Sequence, residues 1–191
     1  MADVQTRIDP RVQRSRATVL AAALEELADR GYGAFSIDGV ARRSGVARST
    51  IYRLWGDRTS LVSEAMEELN VQPGPRPAGD ESPRERVVAL IGHLASAMRG
   101  SPVADCLPAM VDGAERDPAV RRLHHAYNER RRSALTAAVA SARDSGAAHP
   151  DVVPELAAQA LAGAVIYRRL MTARPLTDAE VEPLVATVLG P

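Results

Sequence analysis

The sequence contains no lysine, a single cysteine and few aromatic residues, and each scarcity limits the interpretation. All 24 basic residues are arginine, so only their placement along the chain is informative. Cys106 alone cannot form an intrachain disulfide, which fits a reducing cytoplasm. No run of about 18 apolar residues occurs, and the first residues lack the apolar core of a signal peptide. The sequence therefore predicts a cytoplasmic protein with no membrane contact.

Sequence motifs of the common enzyme classes are also missing. The sequence has no P-loop, no dinucleotide fingerprint, and neither an HExxH nor a GxSxG motif. His124 and His125 are adjacent, so on a helix they point about 100° apart and do not readily share one metal ion. Cys106 has no second cysteine with which to form a metal site. We therefore expect no cofactor, no metal and no catalytic residue.

The positive features begin with the distribution of charge. The chain has 191 residues, a length sufficient for one ordinary domain or two small ones. Its residues are 46% hydrophobic, and its net charge is zero. Residues 1–58 hold 10 arginines against 7 acids, whereas residues 59–191 hold 14 against 17. The N-terminal part is therefore net basic by 3 and the remainder net acidic by 3. This asymmetry makes the N-terminal part the candidate for contact with a polyanion.

The basic part contains the stretch Ser36–Arg58, SIDGVARRSGVARSTIYRLWGDR, which has the pattern of two short helices around a tight turn. Gly45 ends the first helix, and the second covers Ala47–Trp55. Ile51 and Trp55 lie four residues apart and therefore on one inward face. The opposite face carries Arg48, Ser49, Tyr52 and Arg53. This arrangement predicts a helix-turn-helix whose second helix fits the major groove of DNA.

The rest of the chain reads as helical, with no sustained strand alternation. Helix patterns cover residues 10–30, 58–69, 83–100, 103–113, 118–145, 154–171 and 178–189. We predict an all-α fold of about nine helices: a three-helix helix-turn-helix domain, then a helical bundle for ligand binding and dimerisation. The predicted domains are residues 1–56 and 57–191. A connecting fourth helix covers 57–70, and a proline-rich loop covers 71–83.

The predicted helix at residues 154–171 is apolar nearly all round, so it requires burial on two sides. A partner subunit would supply the second side, with Gly163 and Ala164 allowing close approach, and the last helix would complete a four-helix interface. A fully internal helix of one subunit is the alternative. The predicted dimer interface consists of Leu156, Ala160, Gly163, Ala164, Tyr167, Val181, Leu184 and Val188.

The residues Phe35–Val62, FSIDGVARRSGVARSTIYRLWGDRTSLV, resemble the N-terminal DNA-binding domain of TetR-family transcriptional regulators. Residues 154–188 are similar to one subgroup of the family's ligand domains. The resemblance implies an all-α homodimer that binds a double-stranded DNA operator. Family members usually repress transcription and leave DNA when a small molecule binds. An activator or a ligand-independent DNA-binding protein is the nearest alternative, followed by an enzyme or small-molecule carrier with a vestigial helix-turn-helix.

The resemblance also assigns roles to individual residues. Those at the start of the second helix would lie near bases, and the others would contact phosphates or bases. The predicted DNA-binding residues are Ser36, Arg43, Ala47, Arg48, Ser49, Thr50, Tyr52, Arg53 and Arg58. Arg58 lies in the first turn of the fourth helix, where a cation opposes the helix dipole. Helix stability therefore does not explain Arg58, and a nearby phosphate would.

Three residues depart from the family pattern. Ala47 stands where a capping serine is common, which removes about 1 kcal/mol of helix stabilisation. Ile37 stands where threonine is common, and Gly39 weakens the second helix. These departures affect individual phosphate contacts rather than the DNA-binding prediction.

The middle helices of such a domain enclose a ligand cavity. Flexible methionine and polarisable cysteine suit an adaptable apolar cavity, although each of these residues could equally be plain core. The predicted cavity residues are Met66, Leu94, Met98, Cys106, Met110, Leu123, His124 and Tyr127. The identity of the ligand does not follow from the sequence.

Overall fold

A computed structural model of the chain describes residues 10–70 and 81–190. Within those residues it contains nine helices and no strand, which confirms the predicted all-α class, a helix-turn-helix domain followed by a helical domain. The helices are α1 Pro10–Ala34, α2 Ile37–Ser44, α3 Arg48–Trp55, α4 Arg58–Asn70, α5 Pro83–Met98, α6 Pro102–Arg116, α7 Pro118–Asp144, α8 Pro154–Met171 and α9 Asp178–Leu189.

Caps and prolines set several helix starts at the predicted residues. The Asp117 carboxylate accepts the Ala119 N–H at 2.8 Å, and Pro118 occupies the first turn of α7. The Ser36 hydroxyl oxygen accepts the Gly39 N–H at 3.0 Å and caps α2. These groups satisfy amide donors that a helix start otherwise leaves unpaired.

Two predicted boundaries differ from the structure. Gly31 has φ +71° and interrupts the helical geometry with a kink, but one further helical turn reaches Ala34. The prediction that the sixth helix ends at Gly113 is wrong, because α6 continues to Arg116. A Cβ at Gly113 would lie 2.9 Å from Cγ of Tyr32. This glycine therefore allows close packing inside a helix and does not terminate it.

The buried side chains form two apolar cores. The first lies among α1, α2, α3 and α4 and extends to Cys106, Met110 and Ala114 on α6 and Val120 on α7. The second lies among α5, α7, α8 and α9 and includes the start of α6. Because α4 and α6 contribute to the first core, it extends beyond the helix-turn-helix. The boundary predicted at residue 56 stays a prediction.

Among the described residues, no single helix is both long and apolar enough to cross a membrane. Only α5 and α6 taken together meet the same criteria of length and composition, and that pair is bent by 81°.

Candidate nucleic-acid interface

The turn between α2 and α3 is built by Gly45 and by buried side chains of α3. Gly45 has φ +68° and ψ 5°, a left-handed conformation that glycine adopts without strain, and its N–H donates to the Ala41 carbonyl at 3.0 Å. Ile51 is fully buried and Trp55 nearly so. These two residues hold α3 against the first core and leave its other face to solvent.

The exposed face of α3 brings together most of the predicted base-proximal residues. Ala47, Arg48, Ser49 and Arg53 are exposed, Thr50 is half-buried, and Tyr52 is 42% exposed. Ala47 precedes α3 without a side-chain capping bond, as its methyl group requires. The surface presents cations, hydroxyl groups and an aromatic ring, the groups that proteins use on DNA phosphates and base edges.

Arg48 is held loosely by its neighbours. Its Nε lies 2.9 Å from Oδ1 of Asp38, and its guanidinium carbon lies 5.5 Å from the centre of the Tyr52 ring. Hydrogen bonding to Tyr52 and the charge of Asp38 raise the pKa of Arg48. Both members of the ion pair are more than half exposed, so the pair contributes little and a phosphate can replace Asp38.

Two other arginines near this face are open, by which we mean exposed and without a bonding partner among the described residues. In the described part of the chain, neither Arg42 on α2 nor Arg53 on α3 makes a hydrogen bond or ion pair, and both are exposed. Arg42 is absent from the set predicted from sequence. The sequence feature that could have indicated Arg42 is its position next to Arg43, to which the family resemblance assigns a contact with DNA. We include Arg42 among the candidate contacts to DNA.

Arg43, by contrast, is occupied inside the subunit. Its Nε donates to Oε2 of Glu26 at 2.8 Å and its Nη2 to Oδ2 of Asp29 at 2.7 Å. These two hydrogen bonds raise the pKa of Arg43. Glu26 is only 4% exposed, so Arg43 compensates a carboxylate that would otherwise be buried without a counter-charge. The Arg43 guanidinium therefore holds α2 against α1, and its predicted contact with the DNA backbone stays a prediction.

Glu26 also explains two other residues of α2. The Ser36 hydroxyl donates to Oε1 of Glu26 at 3.5 Å, in addition to its capping role. A Cβ at Gly39 would lie 1.8 Å from that same oxygen. Glycine at this position therefore makes room for the carboxylate, which is a packing reason for the departure from the family pattern.

Arg58 has internal partners as well, which explain its position in the first turn of α4 without a phosphate, and its predicted contact with DNA stays a prediction. Its Nη2 donates to the Tyr32 carbonyl oxygen at 2.8 Å, and its guanidinium carbon lies 4.5 Å from the centre of the Tyr32 ring. The Tyr32 hydroxyl in turn donates to Oδ2 of Asp117 at 2.7 Å. This Tyr32 cluster (Tyr32, Arg58 and Asp117) joins the end of α1 to the starts of α4 and α7.

The second core region contains a cavity of about 1110 Å³ between α5, α7 and α8. Of the predicted cavity residues, Leu94, Met98 and Tyr127 line it. Among the described residues, no cluster of histidine, cysteine and carboxylate side chains could hold a metal ion.

The other predicted cavity residues do not line this cavity. Met66, Cys106 and Met110 are buried in the first core, and Leu123 packs against it. The Cys106 thiol donates to the Leu24 carbonyl at 3.3 Å, and burial raises its pKa to about 11, so it is not a reactive thiolate. His124 is half-buried, with Nε2 at 2.9 Å from Nδ2 of Asn128. Sequence periodicity placed these residues inward without showing which core they enter.

One side of α8 carries a stripe of exposed residues that contains four of the eight predicted interface residues. They recur at helical spacing, and the stripe is Leu156, Ala160, Gly163 and Tyr167. Ala164 is half-buried beside it, and Leu184 and Val188 lie half-buried at the edge of the second core. Val181 is only 3% exposed and belongs to the interior of the subunit, so its predicted place in the interface does not fit its burial.

Comparison with known families gives two matches that together cover most of the chain. Residues 19–65 match the model of bacterial regulatory proteins of the tetR family. Residues 77–188 match the model of the tetracyclin repressor-like C-terminal domain. The first match contains the helix-turn-helix, and the second contains the cavity and α8.

Relatives and solved structures agree with these matches. The DNA-binding transcriptional repressor TetR of Mycobacteroides abscessus is 31% identical over 91% of this chain and 90% of its own length. An uncharacterized HTH-type transcriptional regulator of Mycobacterium tuberculosis is 27% identical over 96% and 90%. The fold is similar to that of a TetR transcriptional regulator from Agrobacterium tumefaciens, with a TM-score of 0.72, 18% identity and 92% coverage of both chains. This chain belongs to the TetR family of DNA-binding transcriptional regulators, which are not enzymes.

Proposed function

We propose that this regulator is a repressor that binds a palindromic operator as a homodimer and leaves it when a small molecule enters the cavity between α5, α7 and α8. The cavity, of about 1110 Å³, is the observation that carries the ligand-release part of this proposal. Its volume is slightly above the range of about 300–1,000 Å³ that is typical of small-molecule pockets. Protein interiors are otherwise close-packed, so a cleft of this size that is lined largely by apolar side chains favours a bound ligand.

The exposed stripe on α8 supports the homodimer. Leu156 and Tyr167 are 63% and 60% exposed, whereas small residues between them allow a second helix to approach closely. Large side chains exposed together on one face mark an interaction surface. Pairing of two such faces about a twofold axis would bring two copies of α3 to one operator. Successive major grooves on one side of DNA are about 34–36 Å apart.

The Tyr32 cluster supplies a route from the cavity to the helix-turn-helix. Tyr127 and Arg131 of α7 line the cavity, and the start of α7 at Asp117 is bonded to Tyr32. Tyr32 is bonded to Arg58 at the start of α4, directly after α3. A ligand that shifts α7 would therefore also shift Tyr32 and Arg58. The coupling free energy needed for such regulation is about 1–3 kcal/mol.

Repression, rather than activation, is supported by the relative in Mycobacteroides abscessus, which is named a repressor. We place the protein in the cytoplasm, where its DNA target would lie. The proposed domains remain residues 1–56 and 57–191. An operator can be selected from random DNA duplexes with the purified chain. Expression of a reporter gene fused to that operator should rise when the gene for this chain is deleted. A fall would indicate an activator.

The homodimer and operator are tested by one set of measurements. An operator is selected from random duplexes with the purified chain, and molar mass in solution is measured by light scattering. Leu156→Asp should give a monomer and lose affinity for the palindrome. Val111→Asp is the matched control, because Val111 is also exposed, at 41%, but lies on α6. A wild-type chain that is monomeric in solution and nevertheless binds the palindrome tightly would refute the proposal.

A further inference from the structure

The cavity has two unlike walls. Its α5 and α8 side is mainly apolar, with Leu90, Leu94 and Ile166 among its residues, and it carries two polar side chains, His93 and Gln159. Its α7 side carries Arg130, Arg131 and Arg132. Three consecutive arginines on a helix usually form a solvated face of that helix. The structure places this run along a cavity that is otherwise largely hydrocarbon.

Arg131 is the half-buried member of this arginine run, and, like the exposed Arg130, it has no ion-pair partner among the described residues. Among the described residues, no carboxylate oxygen lies within 4.0 Å of its guanidinium nitrogens. Its guanidinium carbon lies 5.1 Å from the centre of the Tyr127 ring, which fixes the side chain beside the cavity. Arg132, by contrast, is paired with Glu129. A partly desolvated cation with no ionic partner favours an anion at this point.

The other titratable groups of the cavity leave this positive charge in place. Glu129 is paired with Arg132, and Glu67 on α4 and His125 on α7 are exposed. Burial and the charge of Arg131 lower the pKa of His93 on α5, so this imidazole is neutral at pH 7. Neutral His93 can donate or accept a hydrogen bond, and it neither adds to nor cancels the positive charge of Arg131.

We infer that the cavity binds amphipathic organic anions, with the anionic group on Arg131 and the apolar body along Leu90, Leu94 and Ile166. The planar guanidinium matches a carboxylate with two parallel hydrogen bonds. The apolar body gains from burial against α5 and α8. The inference rests on the proposed function, because it names the class of effector for the same cavity.

The test compares decanoate, decanol and decylammonium at concentrations below aggregation, by calorimetric titration of the full chain without DNA. Decanoate should bind at least about tenfold more tightly than decanol, and decylammonium should bind least. Arg131→Gln should weaken decanoate binding about 10- to 100-fold while leaving decanol binding unchanged. Arg131→Lys should retain part of the preference. Arg122→Gln, an exposed position on α7 outside the cavity lining, is the matched control and should bind like wild type.

Equal binding of decanoate and decanol by wild type, or no binding of either, would overturn the inference. So would wild-type decanoate binding by Arg131→Gln. Addition of decanoate to the complex with the selected operator then separates the two proposals. Binding through Arg131 with no effect on operator affinity would support the anion site and refute ligand release. Release of the operator by decanol and decylammonium as readily as by decanoate would support ligand release and refute the anion preference.

Discussion

Arg53 and Arg58 lie five residues apart in the chain, yet their side chains have opposite surroundings. Arg53 is exposed on α3 and makes no hydrogen bond or ion pair with any described residue. Arg58 donates to the Tyr32 carbonyl and lies over the Tyr32 ring. An open arginine can bind a DNA phosphate without breaking a contact inside the protein. An occupied arginine, one whose guanidinium is bonded within the subunit, would first lose its internal partners.

The same division applies on α2. Arg42 is open, and Arg43 is paired with buried Glu26 and with Asp29. Position within a helix-turn-helix is therefore not enough to assign a phosphate contact. We expect the open pair, Arg42 and Arg53, to determine DNA affinity. We expect the occupied pair, Arg43 and Arg58, to determine how the helices are held together.

The largest effect is expected for Arg58→Ala. The substitution removes a charge-assisted hydrogen bond to Tyr32 and a cation–π contact, so the free energy of unfolding should fall by about 2–3 kcal/mol. Chemical denaturation monitored by circular dichroism measures this change. Arg30→Ala is the control, because Arg30 is exposed and its side chain makes no hydrogen bond, ion pair or ring contact among the described residues. Unchanged stability of Arg58→Ala would put Arg58 with the open arginines.

Arg53→Ala should give the reverse result. Operator affinity should fall about tenfold, corresponding to about 1.4 kcal/mol, because one contact to DNA per subunit is lost. The free energy of unfolding should stay within about 0.5 kcal/mol of wild type, as for other exposed positions. Fluorescence anisotropy with the selected operator measures the affinity. Retention of full affinity would mean that α3 binds DNA through other residues.

Gly39→Ala tests how Arg43 is occupied. The added methyl group would displace the Glu26 carboxylate, and this strain should exceed the gain in helix propensity, lowering the free energy of unfolding by about 1 kcal/mol. Gly92→Ala on α5 is the control, because a Cβ there meets no atom within 4 Å and should be neutral or slightly stabilising. Stabilisation by both substitutions would show that Glu26 moves aside without loss.

Tyr32→Phe should have the smallest effect, and it should depend on pH. The Tyr32 hydroxyl is the main cause of the lowered pKa of Asp117. A lowered carboxyl pKa stabilises the fold above the ordinary range of aspartate, and this contribution is lost as pH falls through the lowered value. Wild type should therefore be more stable than Tyr32→Phe at pH 7 and lose that advantage in acid. A difference that is constant across pH would assign the effect to packing.

Local sequence signals were enough for the helices and the helix-turn-helix. Asp117-Pro118 and Ser36 start helices where capping chemistry predicts, and Gly45 makes the predicted turn. Ile51 and Trp55 face inward as their spacing predicts. The exposed face of α3 follows directly from that inward face, and the family of the chain follows from the same stretch.

The partners of the arginines could not be predicted, because they are set by tertiary contacts between residues far apart in sequence. Arg58 meets Tyr32 across 26 residues, and Tyr32 meets Asp117 across 85. The cavity residues were mispredicted for a related reason. Met66 and Cys106 face inward, as periodicity indicates, but they enter the first core and not the cavity. Periodicity gives the direction of a side chain on its own helix and not the identity of the helix opposite.

The division between open and occupied arginines is tested most directly by the salt dependence of operator binding by wild type, Arg53→Ala and Arg58→Ala. Each phosphate contact contributes about 0.9 to the slope of log affinity against log salt concentration. For a dimer, Arg53→Ala should reduce the slope by about 2 if both copies contact phosphates, whereas Arg58→Ala should leave it unchanged. A slope reduced by Arg58→Ala and unchanged by Arg53→Ala would contradict the division between occupied and open arginines.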